Sequence, residues 1–211
     1  MTPFTRLQSN AAPLMRDNID TDLIIRVEPL FSGVPRQELG RYCFESLRYR
    51  ADGSEDPDFV LNQAPYRDAR ILLAGANFGC GSSREGAVWA LMAMGVRCVI
   101  APGFGDIFYG NCFQNGLLPV RLPRAEVERL AAQVRNDPAQ PLTVDLEQCM
   151  VAGPDGRPLA FEIAALRREA LLEGLDAIAQ TLRRSELIDA FQARDATRRP
   201  WIYRVGHPTH S

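Results

Sequence analysis

Ten consecutive residues, Asn77 to Gly86 (NFGCGSSREG), gather two hydroxyls, a guanidinium and a thiol between glycines, just ahead of an apolar helical pattern. A helix N-terminus presents unpaired N–H groups and roughly half a positive charge. Gly79 and Gly81 let the backbone approach whatever sits there. Ser82 or Ser83 can cap the helix, leaving the other hydroxyl to face a ligand. Arg84 adds a planar fork that grips a carboxylate through two bonds. The ligand implied is a small carboxylic acid or a phosphate. The same residues also suit a structural loop in which one serine caps, the glycines turn and Arg84 pairs with Glu85. A dinucleotide fingerprint is excluded, because Arg84 occupies the third glycine position of G-x-G-x-x-G, and no Walker lysine is present.

The elements that would position this loop are legible from period and punctuation. Ile71 to Ala74 is a short apolar run ended by Gly75, which predicts a buried strand. Ala87, Val88, Leu91, Met92 and Met94 recur at helical spacing as far as Gly95, and Val96 to Ala101 is apolar again. Strand, turn, helix, strand is a βαβ unit with a right-handed crossover. Further on, the pattern predicts a helix from Asp106 to Phe113 stopped by Asn115-Gly116, a strand from Leu117 to Val120, a helix from Arg124 to Arg135 and a strand from Leu142 to Leu146. A hairpin turns at Gly153 to Gly156. A helical region runs from about 164, interrupted near Gly174, and a polar tail starts at about 196, all within a single domain over 1–211. The 106–116 helix mixes aromatics with amides; either Ile107, Phe108, Cys112 and Phe113 face a core, or the amides line a polar cleft.

The N-terminal third is less regular. Asp17, Asp20 and Asp22 crowd one turn, where they serve either a divalent metal or Asx turns and caps. The long loops at 26–44 and 50–58 are of the kind that carries function or moves.

Composition bounds the partners. The chain has 211 residues, 46 % of them hydrophobic, enough for a core. A formal charge of −2 gives no basic footprint, so neither nucleic acid nor an acidic membrane is an expected partner. No apolar run approaches the ~18 residues of a spanning helix and no signal-peptide core precedes Asn10, so the expected compartment is cytoplasmic. Five cysteines at irregular spacing, without a C-x-x-C pair, read as reduced and mostly buried thiols. Cys80 alone sits in the site-like loop, but a thiol enzyme would lack a histidine there: the only histidines are His207 and His210 in the tail. General base chemistry must use another group or come from another chain.

Four strings in order, NIDTDLII (18–25), NFGCGSSREG with the following AVWAL (77–91), VIAPGFGDIFYGNCFQNGLLPV (99–120) and GLDAIAQTL (174–182), resemble the small-subunit family of 3-isopropylmalate dehydratase, the leucine-pathway isomerase related to aconitase. The resemblance spans roughly residues 5 to 195. It implies an α/β fold, a swivelling β/β/α domain resembling the last domain of aconitase. It also implies docking on a separate large subunit that carries a 4Fe-4S cluster on its own cysteines, with no cofactor or metal held by this chain. The implied substrate is a hydroxy-dicarboxylic acid: 2-isopropylmalate loses water to isopropylmaleate and regains it as 3-isopropylmalate, cluster iron in the partner taking the hydroxyl as a Lewis acid. On the matching loop, Ser82 takes the role of the catalytic base, Ser83 and Arg84 hold substrate, and Cys80 is structural.

Two positions depart from the family pattern. Gly86 stands where the family reads Arg-Glu-His-Ala, and it is expected to face the site. Arg26 stands where proline usually follows Ile-Ile, a candidate carboxylate ligand in a loop that governs substrate choice in the family. These departures keep two alternatives open: a hydro-lyase for a smaller acid such as methylmalate or dimethylmalate, and a non-catalytic carboxylate-binding relative.

Overall fold

The computed structural model describes residues 1–203; residues 204–211, with His207, His210 and the end of the expected polar tail, lie outside the described residues. The chain divides into two compact units, Met1–Gly174 and the segment from Leu175 onward. The division falls where the sequence pattern predicts an interruption, and Gly174 ends its helix in the left-handed conformation, φ 70°.

The first unit holds two four-stranded sheets among the described residues. One is parallel, in the order β2 (Ala11–Leu14), β3 (Ile71–Ala74), β4 (Cys98–Ala101), β5 (Leu118–Arg121). Ile71 is paired with Ala11 on one side and Cys98 on the other. β2, β3 and β4 are buried at every position, which is why they read as continuous apolar runs rather than alternating ones. Pro13 is tolerated because β2 lies at the sheet edge. The second sheet is antiparallel, β1 (Arg6–Ser9), β6 (Leu142–Asp145), β7 (Met150–Ala152), β8 (Pro158–Ala160). In β6, Leu142 and Val144 are buried while Thr143 and Asp145 are half-buried, the period-two pattern of a sheet packed on one face.

Between β2 and β3 the chain makes short helices α1 (Thr21–Ile24), α2 (Glu28–Phe31) and α3 (Glu45–Arg48), with a 3-10 turn at Arg36–Tyr42. Helix α4 (Glu85–Ala93) joins β3 to β4, and α5 (Asp106–Asn115) joins β4 to β5. α6 (Arg124–Asn136) and α7 (Ala165–Glu173) complete the unit. The 3-10 turn packs so closely on α4 that a Cβ on Gly40 would stand 2.6 Å from the Ala93 carbonyl oxygen. In the second unit, α8 (Ala177–Leu182) is capped by Asp176, which accepts from the Ala179 N–H at 2.8 Å; α9 (Ser185–Arg198) and α10 (Pro200–Tyr203) follow. There Asp195 accepts from Arg199 Nε at 2.6 Å and the Tyr203 hydroxyl at 3.1 Å.

The βαβ unit, its neighbouring helices and the 150–160 hairpin agree with the sequence pattern. β1 and β2 carry no strand signal strong enough to predict: each is four residues long, they are separated by a single residue, and one contains proline.

Candidate active site

The loop from Gly75 to Arg84 leaves the C-terminal end of β3, the edge at which open α/β sheets bind ligands. It is pinned on both sides by the loops leaving β2 and β4. From the β2 side, Asn18 N–H donates to the Ala76 carbonyl (2.9 Å), Gly79 N–H to that of Ile19 (2.7 Å) and Thr21 N–H to that of Cys80 (2.9 Å). From the β4 side, Phe78 N–H donates to the Gly103 carbonyl (3.0 Å) and Gly105 N–H returns to Phe78 (2.9 Å). Phe78 is wholly buried and meets Phe108 edge-on at 5.4 Å. Gly79 is fixed by two constraints at once: φ is 72°, and a Cβ would fall 2.2 Å from Phe108 Cγ.

Past Gly81 the loop opens. The buried Thr21 hydroxyl donates to the Ser82 carbonyl at 3.1 Å, so the Ser82 backbone is tied down while its side chain stays exposed. The expected serine cap does not form. The N-cap of α4 is Arg84, in extended conformation and without a side-chain cap bond. Both serine hydroxyls are therefore uncommitted among the described residues, as are the backbone N–H groups of Ser82, Ser83, Glu85 and Gly86. Unpaired donors at a helix start are groups that can hold an anion.

Arg84 does not pair with Glu85. Its Nη1 donates to the Asp22 carboxylate and, at 3.5 Å, to the Ile25 carbonyl, while the Nε and Nη2 edge meets no partner among the described residues. One end of the guanidinium is thus anchored and the other remains available for a two-bond grip. The side chain is only 20 % exposed, so a carboxylate bound there would be partly shielded from water.

Gly86 differs from expectation. It is buried, and a Cβ would lie 2.6 Å from both Leu30 Cδ1 and Cδ2. The half-buried Leu30, from α2, fills the space above the first turn of α4, so position 86 faces a leucine rather than an open site. Arg26 is exposed and lines a separate cleft of about 490 Å³ with Arg41, Tyr42, Tyr49 and Arg50; Ser82, Ser83 and Arg84 are not part of that lining.

The three aspartates each have polypeptide partners: Asp20 caps α1 by accepting from Leu23 N–H (2.7 Å), Asp17 accepts from Ala76 N–H (2.7 Å) and from Arg124, and Asp22 holds Arg84. Among the described residues no group of three His, Cys, Asp or Glu side chains is placed to hold a metal ion. Cys43, Cys98 and Cys112 are buried, and desolvation pushes their thiols up from the ordinary range. Thr21, Asp22 and Leu30 were not recognisable as parts of this site in the sequence, since each acts across some 55 to 62 positions.

The family model of the Aconitase C-terminal domain matches residues 1–125, and a second, described as LeuD_N, matches 128–165. A protein of Rhodospirillum centenum named 3-isopropylmalate dehydratase small subunit is 54 % identical over 201 residues, 95 % of this chain and 98 % of that one. The protein of the same name from Gluconacetobacter diazotrophicus is 54 % identical over 205 residues, 97 % of this chain and 99 % of that one. In the crystal structure of 3-isopropylmalate dehydratase from Methanocaldococcus jannaschii the likeness extends to the backbone, with a TM-score of 0.62 at 26 % identity over 89 % of this chain and 99 % of that one. The chain belongs to the aconitase C-terminal domain family and, within it, to the small subunits of 3-isopropylmalate dehydratase.

Proposed function

We propose that this chain is the small subunit of a hydro-lyase that interconverts 2-isopropylmalate and 3-isopropylmalate through isopropylmaleate, in the cytoplasm and in leucine biosynthesis. We take both compact units as parts of one module, because relatives match the chain nearly end to end. The observation that carries the reading is the loop after β3, with two free hydroxyls, four free amides and half a guanidinium at one helix start.

In this reading Arg84 grips a substrate carboxylate with its Nε and Nη2 edge, and Ser83 adds a hydrogen bond. Ser82 Oγ takes the proton from the carbon beside that carboxylate. A serine is a weak base unless its anion is stabilised. The free amides and the N-terminal field of α4 supply that stabilisation, and it grows when water is excluded. The substrate's second carboxylate is assigned to Arg26, which lines the cleft shared with Arg41, Glu45 and Arg50. Among the described residues no three His, Cys, Asp or Glu side chains are grouped to hold a metal ion, and in this reading the 4Fe-4S cluster expected of the family is carried by a large subunit that closes over the loop.

The test is reconstitution with the large subunit of the same cell and assay against 2-isopropylmalate, methylmalate and dimethylmalate. Turnover of isopropylmalate by the pair, and by neither chain alone, is the expected result. Turnover of only the smaller acids would overturn the substrate, and association without any turnover would point to a carboxylate-binding relative.

A further inference from the structure

The aromatic and amide string at 106–116 contains a second device bearing on the same loop. Arg84 holds one acid, Asp22, and is followed in the chain by a second, Glu85. A carboxylate closing on the free Nε and Nη2 edge would occupy the place reserved for substrate. Glu85 is held elsewhere. Asn115, the last residue of α5, donates from Nδ2 to Glu85 Oε1 at 2.8 Å and to the Asn111 carbonyl at 2.9 Å. Its Oδ1 accepts from Trp89 Nε1 at 3.0 Å.

The orientation of that amide is forced. An indole N–H only donates, so the oxygen of Asn115 must face Trp89 and the NH₂ must face the carboxylate. Trp89 follows Glu85 by four positions, which puts both on one face of α4. The Arg36 guanidinium lies over the Trp89 ring, 3.6 Å from its centroid. Gly116, at φ 87°, ends α5 and sets where Asn115 stands. Every polar atom of the Asn115 amide is thereby used, and one side chain fixes two residues of the helix that bears the site.

We propose that Asn115 is a positioning residue: by clipping the Glu85 carboxylate to the end of α5, it keeps that charge off the adjacent Arg84, whose free edge then remains available to a substrate carboxylate. The proposal rests on the substrate-gripping role given above to Arg84. It separates charge sequestration from simple structural support, because removing the charge should make the clip dispensable.

The experiment uses the assembled two-subunit enzyme with Asn115→Leu, Asn115→Asp, Glu85→Gln and the two double variants, each checked for thermal melting and for co-elution with the large subunit. KM is read for whichever branched hydroxy acid the wild-type pair turns over, so an error in the substrate assignment does not affect the outcome. Asn115→Leu and Asn115→Asp should each raise KM about tenfold or more with kcat altered less than about threefold, since both release Glu85. Asn115→Asp keeps an acceptor for Trp89 and serves as the reading if the leucine variant fails to assemble. Glu85→Gln changes only the side chain and keeps the backbone amide of that position, so alone it should leave KM within about threefold of wild type, and combined with either Asn115 variant should restore it. Double variants no better than the Asn115 variants, or Asn115 variants with unchanged KM, would overturn the proposal.

Discussion

Gly86 gives the sharpest structural prediction, because the contact that explains it can be removed from either side. Its backbone is helical and would accept any residue, so the glycine is there for space: a Cβ would lie 2.6 Å from both Leu30 Cδ atoms and 3.2 Å from Cγ. Gly86→Ala should gain ~1 kcal/mol of helix propensity and lose ~1–3 kcal/mol by forcing a packed leucine aside. The net effect in the native background is therefore a destabilisation of about 0–2 kcal/mol. With Leu30→Ala the obstruction is gone, and the same change at position 86 should stabilise by up to ~1 kcal/mol. The assay is urea unfolding of the four proteins of the cycle, which should give a coupling of ~1–3 kcal/mol. Additivity within ~0.5 kcal/mol would refute the packing argument. The histidine usual in the family at this position is larger than alanine, so Gly86→His should be tolerated only together with Leu30→Ala.

Three further outcomes follow from the geometry. Arg84→Lys keeps the charge but loses the two-bond edge, and should raise KM in the reconstituted enzyme about 10- to 100-fold, equivalent to ~1.5–3 kcal/mol; an unchanged KM would remove Arg84 from the substrate. Asp17 is held below its ordinary value of 3.8 by hydrogen bonds from Arg124 and Ala76, and Glu55 below 4.5 by Arg67. Lowered carboxylates stabilise the fold above their unfolded values and lose that contribution as pH falls through the folded ones, so the urea midpoint should stay level near neutrality, drop below about pH 4.5, and drop less steeply in Asp17→Asn; a slope unaltered by Asp17→Asn would contradict this. Cys80→Ser should keep turnover within a few-fold, and alkylation of the native protein should label Cys80 and Cys149 but spare the buried Cys43, Cys98 and Cys112; loss of turnover in Cys80→Ser would contradict the structural role given to that thiol.

What the sequence made legible was whatever depends on neighbours along the chain. The β3–loop–α4–β4 unit is visible because buried parallel strands are continuous apolar runs and glycine punctuates their ends. The groups of the site, Ser82, Ser83 and Arg84, were visible for the same reason, as a local cluster at a predicted helix start. What they bond to was not. One serine or the other looked like a cap because capping is a local rule, whereas the Thr21 hydroxyl, 61 positions away, ties down the Ser82 carbonyl and Arg84 becomes the N-cap instead. Arg84 looked ready to pair with Glu85, yet Asp22 and Asn115 hold the two apart. Gly86 pointed to a vacated site until α2 placed Leu30 over it. β1 and β2 went unseen because four-residue strands owe their existence to partners far along the chain.

In the proposed mechanism Ser82 moves a proton at the start of α4, and Ser82→Ala in the reconstituted enzyme tests that role most directly. The hydroxyl makes no bond with the described residues, so the variant should fold and bind the large subunit as wild type does, while kcat on isopropylmalate falls about 10²- to 10⁴-fold. An assembled variant with wild-type kcat would contradict it.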